Sequence, residues 1–195
     1  MEQPTQKRRI VVGISGASGM QVAWKLLETL YKLPYIETHL VMTESARITI
    51  PIETDKVAGD FQSLADVNYD SYQMSAAIAS GSFYTEGMVI VPCSMKSAAG
   101  IACGFSDNLL LRAADCMIKE RRRLVLMVRE CPFSQIHLRN MEFLASCGVD
   151  ILPMMMTFYN HPKSVDDMVT HVVARVLERF QIDTCGYHRW NGVNE

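Results

Sequence analysis

The chain has 195 residues, 49% hydrophobic and 21% charged, with 19 Lys and Arg against 21 Asp and Glu for a formal net charge of −2. That length suits one domain with a sizeable core, and the balance excludes a disordered chain and a general nucleic-acid binder. No apolar stretch reaches the roughly 18 residues of a membrane span, and the polar segment up to Arg9 lacks the apolar part of a leader peptide.

Ile10 to Val12 is a β-branched run and reads as a short buried strand. It breaks into Gly13, Gly16 and Gly19, spaced three apart, and a helical pattern follows through Val22, Ala23, Leu26, Leu27 and Leu30 until Pro34. Free backbone N–H groups and the helix dipole then point at one spot, an anion site. Small residues let a phosphate approach the backbone there. Hydroxyls on Ser15 and Ser18 favour phosphate over a plain tight turn.

Ile36 to Met42 reads as the second strand, and Thr43 onward as a short helix to about Ile50, ended by Pro51. Residues 53–75 read as loop with short helical turns, and Ser80-Gly81-Ser82 as a turn. Met88 to Val91 is a strand ending at Pro92-Cys93-Ser94. Asp107 is the expected N-cap of a helix through Lys119, whose cationic end suits the dipole. Leu124 to Val128 is the next strand, and Ser134 caps a helix that Gly148 terminates. Val149 to Leu152 forms a last strand before a Pro- and Met-rich loop. From Ser164, one apolar stripe runs through Val165, Met168, Val169, Val172, Val173, Val176, Leu177 and Phe180.

This alternation predicts an α/β fold, a single three-layer domain over 1–195 with a mostly parallel sheet, a flexible terminus at 1–8 and a tail at 181–195. Ligands of such sheets sit beyond the carboxyl ends of the strands. Five loops are therefore singled out: Ser15 to Gly19, Thr43-Glu44, Pro92 to Ser97, Arg129-Glu130 and Pro153 to Pro162. Converging, they would bind a phosphorylated, largely planar ligand. The six cysteines show no zinc-like grouping and read as reduced, mostly buried thiols of a cytoplasmic protein. The five histidines show no metal spacing and are assigned structural or surface roles.

Several motifs carry a resemblance. Gly13 to Gly19, Ile36 to Met42, Ser80-Gly81-Ser82-Phe83, Pro92 to Ser97, Arg112-Ala113-Ala114-Asp115, Lys119-Glu120-Arg121-Arg122, Arg129-Glu130, Phe158-Tyr159 and Arg189-Trp190 resemble the UbiX-type flavin prenyltransferases. That family includes the B subunits associated with phenolic-acid decarboxylases. The resemblance implies a flavodoxin-like or Rossmann-like domain assembling into homo-oligomers, typically dodecamers. It implies joining of a dimethylallyl group from dimethylallyl monophosphate to N5 and C6 of reduced FMN, with prenylated FMN passed to a UbiD-type decarboxylase.

Carried over by position, Ala17, Ser18 and Gly19 would hold FMN, with Ser18 near the reacting N5. Thr43, Ser94, Met95, Lys96, Ser97 and Arg129 would bind the flavin too. Lys119, Arg129, Tyr159 and Arg175 would take the dimethylallyl phosphate, with Trp190 beside the prenyl group. Glu53 and Glu130 match carboxylates near the reacting centre. Two departures stand out. Met20 to Trp24 replaces the usual small residue and Tyr-Gly pair, and Thr43-Glu44 replaces Ser-Lys, exchanging a cation for an anion.

The chemistry needs the leaving phosphate stabilised and the allylic cation shielded from water. Asp166-Asp167, the only adjacent aspartates, sit in a first helical turn that explains them, so no metal is expected and fixed cations must serve. Plainer roles are open for each residue. Lys119 and Ser18 can be helix caps, Glu53 can cap the next turn, Arg129 and Glu130 can pair, and Arg175 can be solvated. Tyr159 and Trp190 can be packing. Rival functions are a short-chain nicotinamide reductase, a flavin-dependent cysteine decarboxylase and a non-catalytic FMN-binding subunit. The first is disfavoured by the Gly-x-x-Gly-x-x-Gly spacing and by Pro162 between Tyr159 and Lys163.

Overall fold

The computed structural model describes residues 7–184, 187, 189, 190 and 192. The first six residues of the expected flexible terminus, together with Cys185 and His188, lie outside them. The strands are β1 (Arg8–Ile14), β2 (Ile36–Met42), β3 (Val67–Tyr69), β4 (Gly87–Cys93), β5 (Arg123–Val128) and β6 (Asp150–Ile151). They form one parallel sheet in the order β3-β2-β1-β4-β5-β6. The helices are α1 (Met20–Tyr31), α2 (Glu44–Glu53), α3 (Ala58–Ser63), α4 (Met95–Ala102), α5 (Leu109–Lys119), α6 (Gln135–Ser146) and α7 (Val165–Arg179).

The side-chain period of two sorts each strand between two cores. Ile10, Val12, Val89, Val91 and Val125 face α1, α2, α3 and α7. Val11, Met88, Ile90, Leu124 and Leu126 face α4, α5 and α6. This is the three-layer flavodoxin-like architecture expected. The chain winds from β1 outward to β3, then returns to β4 and winds the other way. The reversal falls between β1 and β4, and the crevice at their carboxyl ends is where such sheets take ligands.

Several local expectations are corrected. β1 begins at Arg8, inside the segment expected to be flexible. α2 does not stop at Pro51 but continues to Glu53, since a proline near a helix end removes one hydrogen bond and the Thr54 N–H still reaches Ile50. Residues 53–75 hold α3 and the edge strand β3. α4 was not anticipated, and Asn108 rather than Asp107 caps α5. Val165, at the head of the predicted apolar stripe, is exposed. Cys103, Cys131 and Cys147 are exposed, not buried.

Candidate active site at the carboxyl edge of the sheet

Ser15 directly follows β1 and joins the two halves of the crevice. Its side chain is 1% exposed. The hydroxyl donates to the Pro92 carbonyl at 2.9 Å and accepts from the Ser94 N–H at 2.8 Å. On the other side, the Thr43 N–H donates to the Ile14 carbonyl at 2.9 Å. The loops after β1, β2 and β4 are thus tied edge to edge.

Three helices start at this crevice. Thr43 caps α2 by accepting from the Ala46 N–H at 3.2 Å, and Ser94 caps α4 by accepting from the Ser97 N–H at 3.2 Å. Asn108 caps α5 by accepting from Leu111. Ser15, Thr43, Ser94, Lys96, Ser97 and Asn108 line a cavity of about 210 Å3 between them. Three converging dipole ends, hydroxyls and the Lys96 ammonium suit an anion. Glu44 and Asp107 also line it and oppose one. The volume lies under the roughly 300 Å3 at which whole small ligands are enclosed, room for the charged end of a larger molecule and not for all of it.

The glycine turn itself is used differently from the sequence reading. Its anion comes from the protein. The Glu53 carboxylate accepts from the Gly19 N–H at 2.8 Å and from the Met20 N–H at 2.9 Å, filling the N-terminus of α1. The turn of α2 beyond Pro51 carries it there. The glycines serve close packing. A Cβ on Gly16 would stand 2.3 Å from the Ser45 Cβ, and one on Gly19 would stand 2.7 Å from the Met154 Cε. Burial raises the Glu53 carboxyl, but the Ser18 hydroxyl, the two N–H groups and the Arg129 charge outweigh it and hold it below its usual value. Ser18 therefore does not cap α1, whose N-cap is Gly19. Glu53 caps α1 rather than the turn that follows it.

Arg129 directly follows β5, its N–H donating to the Cys93 carbonyl at 3.1 Å and its side chain exposed. Beside it, the Glu130 carboxylate accepts from the Cys131 N–H at 3.0 Å. Burial pushes the Cys93 thiol up to about 12, which suits packing and not nucleophilic attack.

A second cavity, about 530 Å3, lies along α7 and the chain after β6, with Tyr159, His171, Arg175, Tyr187 and Trp190 in its wall. The Trp190 ring stands edge-on to Tyr159 with centroids 5.6 Å apart. Arg175 donates to the Tyr187 hydroxyl at 3.0 Å and pairs with Glu178, which also holds Arg189 at 3.1 Å. Gly19 packed on Met154 links this region to the first loop. Within one chain, the two cavities share no lining residue.

Lys119 joins neither group. It ends α5 beside Gly81 and pairs with Glu120, at the edge where the strands begin. The paired aspartates have structural partners: Asp167 accepts from the Ser164 and Lys163 N–H groups, and Asp166 pairs with Lys25 at 2.7 Å. Among the described residues, no group of three or more His, Cys, Asp or Glu is placed to hold a metal, and no helix is long and apolar enough to cross a membrane.

Residues 1–177 match the Flavoprotein family. The chain is 50% identical over 185 residues to the flavin prenyltransferase LpdB of Lactiplantibacillus plantarum, covering 95% of this chain and 99% of that one. It belongs to the UbiX-type flavin prenyltransferases. Among solved structures, AnUbiX in complex with FMN and dimethylallyl pyrophosphate superposes with a TM-score of 0.94 at 46% identity, over 97% of this chain and 100% of that one. A dodecameric FMN-dependent UbiX-like decarboxylase from Escherichia coli O157:H7 gives 0.93 at 48%, over 94% and 100%.

For a UbiX-type chain, the sequence singled out many of the side chains at this edge but missed others, among them Ser45, Ser71, Asn108, His171, Glu178 and Tyr187. Asn108 had a readable signal, the cap preference of Asn just before an apolar run. His171 had none, because its place depends on how α7 meets the loop after β6.

Proposed function

We propose that the chain transfers a dimethylallyl group from dimethylallyl monophosphate to N5 and C6 of reduced FMN, and that the prenylated FMN serves a UbiD-type decarboxylase. The observation that carries this reading is the near-full-length likeness to AnUbiX, a protein solved with FMN and dimethylallyl pyrophosphate. The anion-suited cavity at the β1/β4 crevice supports it from this chain's own residues.

FMN is a substrate in this reading, its phosphate end among the caps of α2, α4 and α5, with Lys96 as the cation. Ala17, Ser18 and Gly19 lie along the flavin with Met95 and Ser97, and Arg129 bridges toward the reacting edge. Glu53 keeps Ser18 and the turn fixed. Glu130 accepts a proton near the flavin. Tyr159 and Arg175 hold the prenyl phosphate, a planar guanidinium matching two phosphate oxygens as the C–O bond breaks. Trp190 presents a ring to the developing allylic cation and excludes water.

The position of Lys119 gives the oligomer a purpose. Its ammonium reaches such a phosphate only in a neighbouring copy, in an assembly like the dodecamer of the Escherichia coli relative. Fixed cations replace a metal, and the protein works in the cytoplasm.

Anaerobic incubation with reduced FMN and dimethylallyl monophosphate, followed by mass and absorption analysis of the released flavin, tests this. A flavin heavier by one prenyl unit, formed equally with EDTA, is expected. Bound but unmodified FMN identifies a non-catalytic flavin subunit instead, and strict magnesium dependence overturns the fixed-cation mechanism.

A further inference from the structure

His171 sits on α7 with its side chain 2% exposed, one turn before Arg175 and on the same face toward the second cavity. Its two ring nitrogens have different neighbours. Nδ1 lies 3.3 Å from the Asn160 side-chain nitrogen, and Nε2 lies 3.4 Å from the Tyr159 hydroxyl. Asn160 is oriented by Thr157, whose hydroxyl donates to the amide oxygen at 3.5 Å, leaving the NH2 facing the imidazole. An amide nitrogen only donates, so Nδ1 accepts, and the hydrogen of this tautomer is on Nε2. Nε2–H then donates to the Tyr159 oxygen. With a lone pair engaged from behind, the phenol hydrogen turns away from the imidazole and into the cavity. The Tyr159 and His171 rings meet edge-on at 5.7 Å, which fixes the phenol plane as well.

We infer that His171, set by Asn160, is a positioning residue that orients the Tyr159 hydroxyl as a donor to the prenyl phosphate. The inference rests on the proposed role of Tyr159 in binding that phosphate. It assigns a task to a histidine for which the sequence offered only structural or surface roles. Thr157, Asn160, His171 and Tyr159 form a chain of hydrogen bonds whose last donor is free for substrate.

The test compares His171→Phe, which keeps an aromatic ring without nitrogens, with His171→Gln, whose amide nitrogen replaces the Nε2 donor. Each is made in wild type and in Tyr159→Phe, and steady-state KM for dimethylallyl monophosphate is measured alongside FMN affinity. His171→Phe is expected to raise KM by about three- to tenfold, the range one oriented hydrogen bond commands, with FMN affinity unchanged and most of the loss recovered by Gln. In the Tyr159→Phe background, it is expected to add nothing. If Tyr159→Phe raises KM while His171→Phe does not, or if the two effects multiply, the positioning role is wrong. If Tyr159→Phe itself leaves KM unchanged, the reading of Tyr159 fails and this inference with it. Asn160→Ala, at a half-buried loop position, supplies the same comparison should the His171 variants not fold.

Discussion

The hydroxyl of Ser15 accepts the Ser94 N–H at 2.8 Å, joining the end of β1 to the cap of α4 across the point where the strand order reverses. Removing it strands a buried donor. Ser15→Ala is expected to destabilise the fold by about 1–3 kcal/mol, the penalty of an unsatisfied buried polar group. FMN affinity is expected to fall too, because the two loops shape one cavity. Chemical denaturation and flavin titration measure both, and a variant as stable as wild type would contradict this joining role.

Glu53 predicts a pH dependence whose sign follows from its lowered carboxyl. A carboxylate held below its unfolded value of 4.5 contributes stability that is fully present above 4.5 and is lost as pH falls through the lower folded value. Glu53→Gln is therefore expected to be less stable than wild type at pH 7 by about 1 kcal/mol, the order of a carboxylate at a helix N-terminus. The difference should shrink on acidification well below 4.5. A gap equal at pH 7 and pH 3 would assign the effect to shape and not to charge.

Glu44 lines the cavity proposed for the FMN phosphate, where relatives of this type were expected to carry a cation. Glu44→Lys reverses one charge at an exposed helix start. FMN binding is expected to tighten by about three- to tenfold at low salt and less at high salt, as screened Coulomb attraction dictates. Titration by flavin fluorescence reads this directly. A dissociation constant that ignores both the substitution and the salt would move the phosphate elsewhere.

Lys119 and Tyr159 stand at opposite edges of one chain, yet both are assigned to the same phosphate. Lys119→Ala and Tyr159→Phe are each expected to be strongly impaired as pure proteins. Unfolding, mixing and reassembling the two should restore about a quarter of wild-type activity, the share of sites that random mixing leaves intact at an interface between copies. No recovery in a properly assembled mixture would place Lys119 outside the reaction.

The central strands were legible because a parallel sheet is buried on both faces, so Ile10 to Val12 and Met88 to Val91 read as unbroken apolar runs. β3, with three residues at an edge, leaves too short a trace. α4 is built from Ser97, Ala98, Ala99 and Gly100, which give no strong amphipathic stripe. The site residues were readable in kind but not in grouping. Spacing marked Glu53 as a carboxylate of interest, whereas its seat on the Gly19 N–H depends on α2 passing through Pro51. The remoteness of Lys119 from Tyr159 was equally invisible, since no local pattern reports which edge of a sheet a helix end reaches.

The carboxylate seated in the glycine turn makes that turn self-contained. Its shape does not wait for an incoming guest, and the loop carrying Ser18 is expected to hold one conformation whether flavin is present or absent. A glycine-rich strand-to-helix bend here contributes Ser15 and Gly16 to the wall of the hydroxyl-lined vestibule, while its helix-side N–H groups are already answered from within the chain.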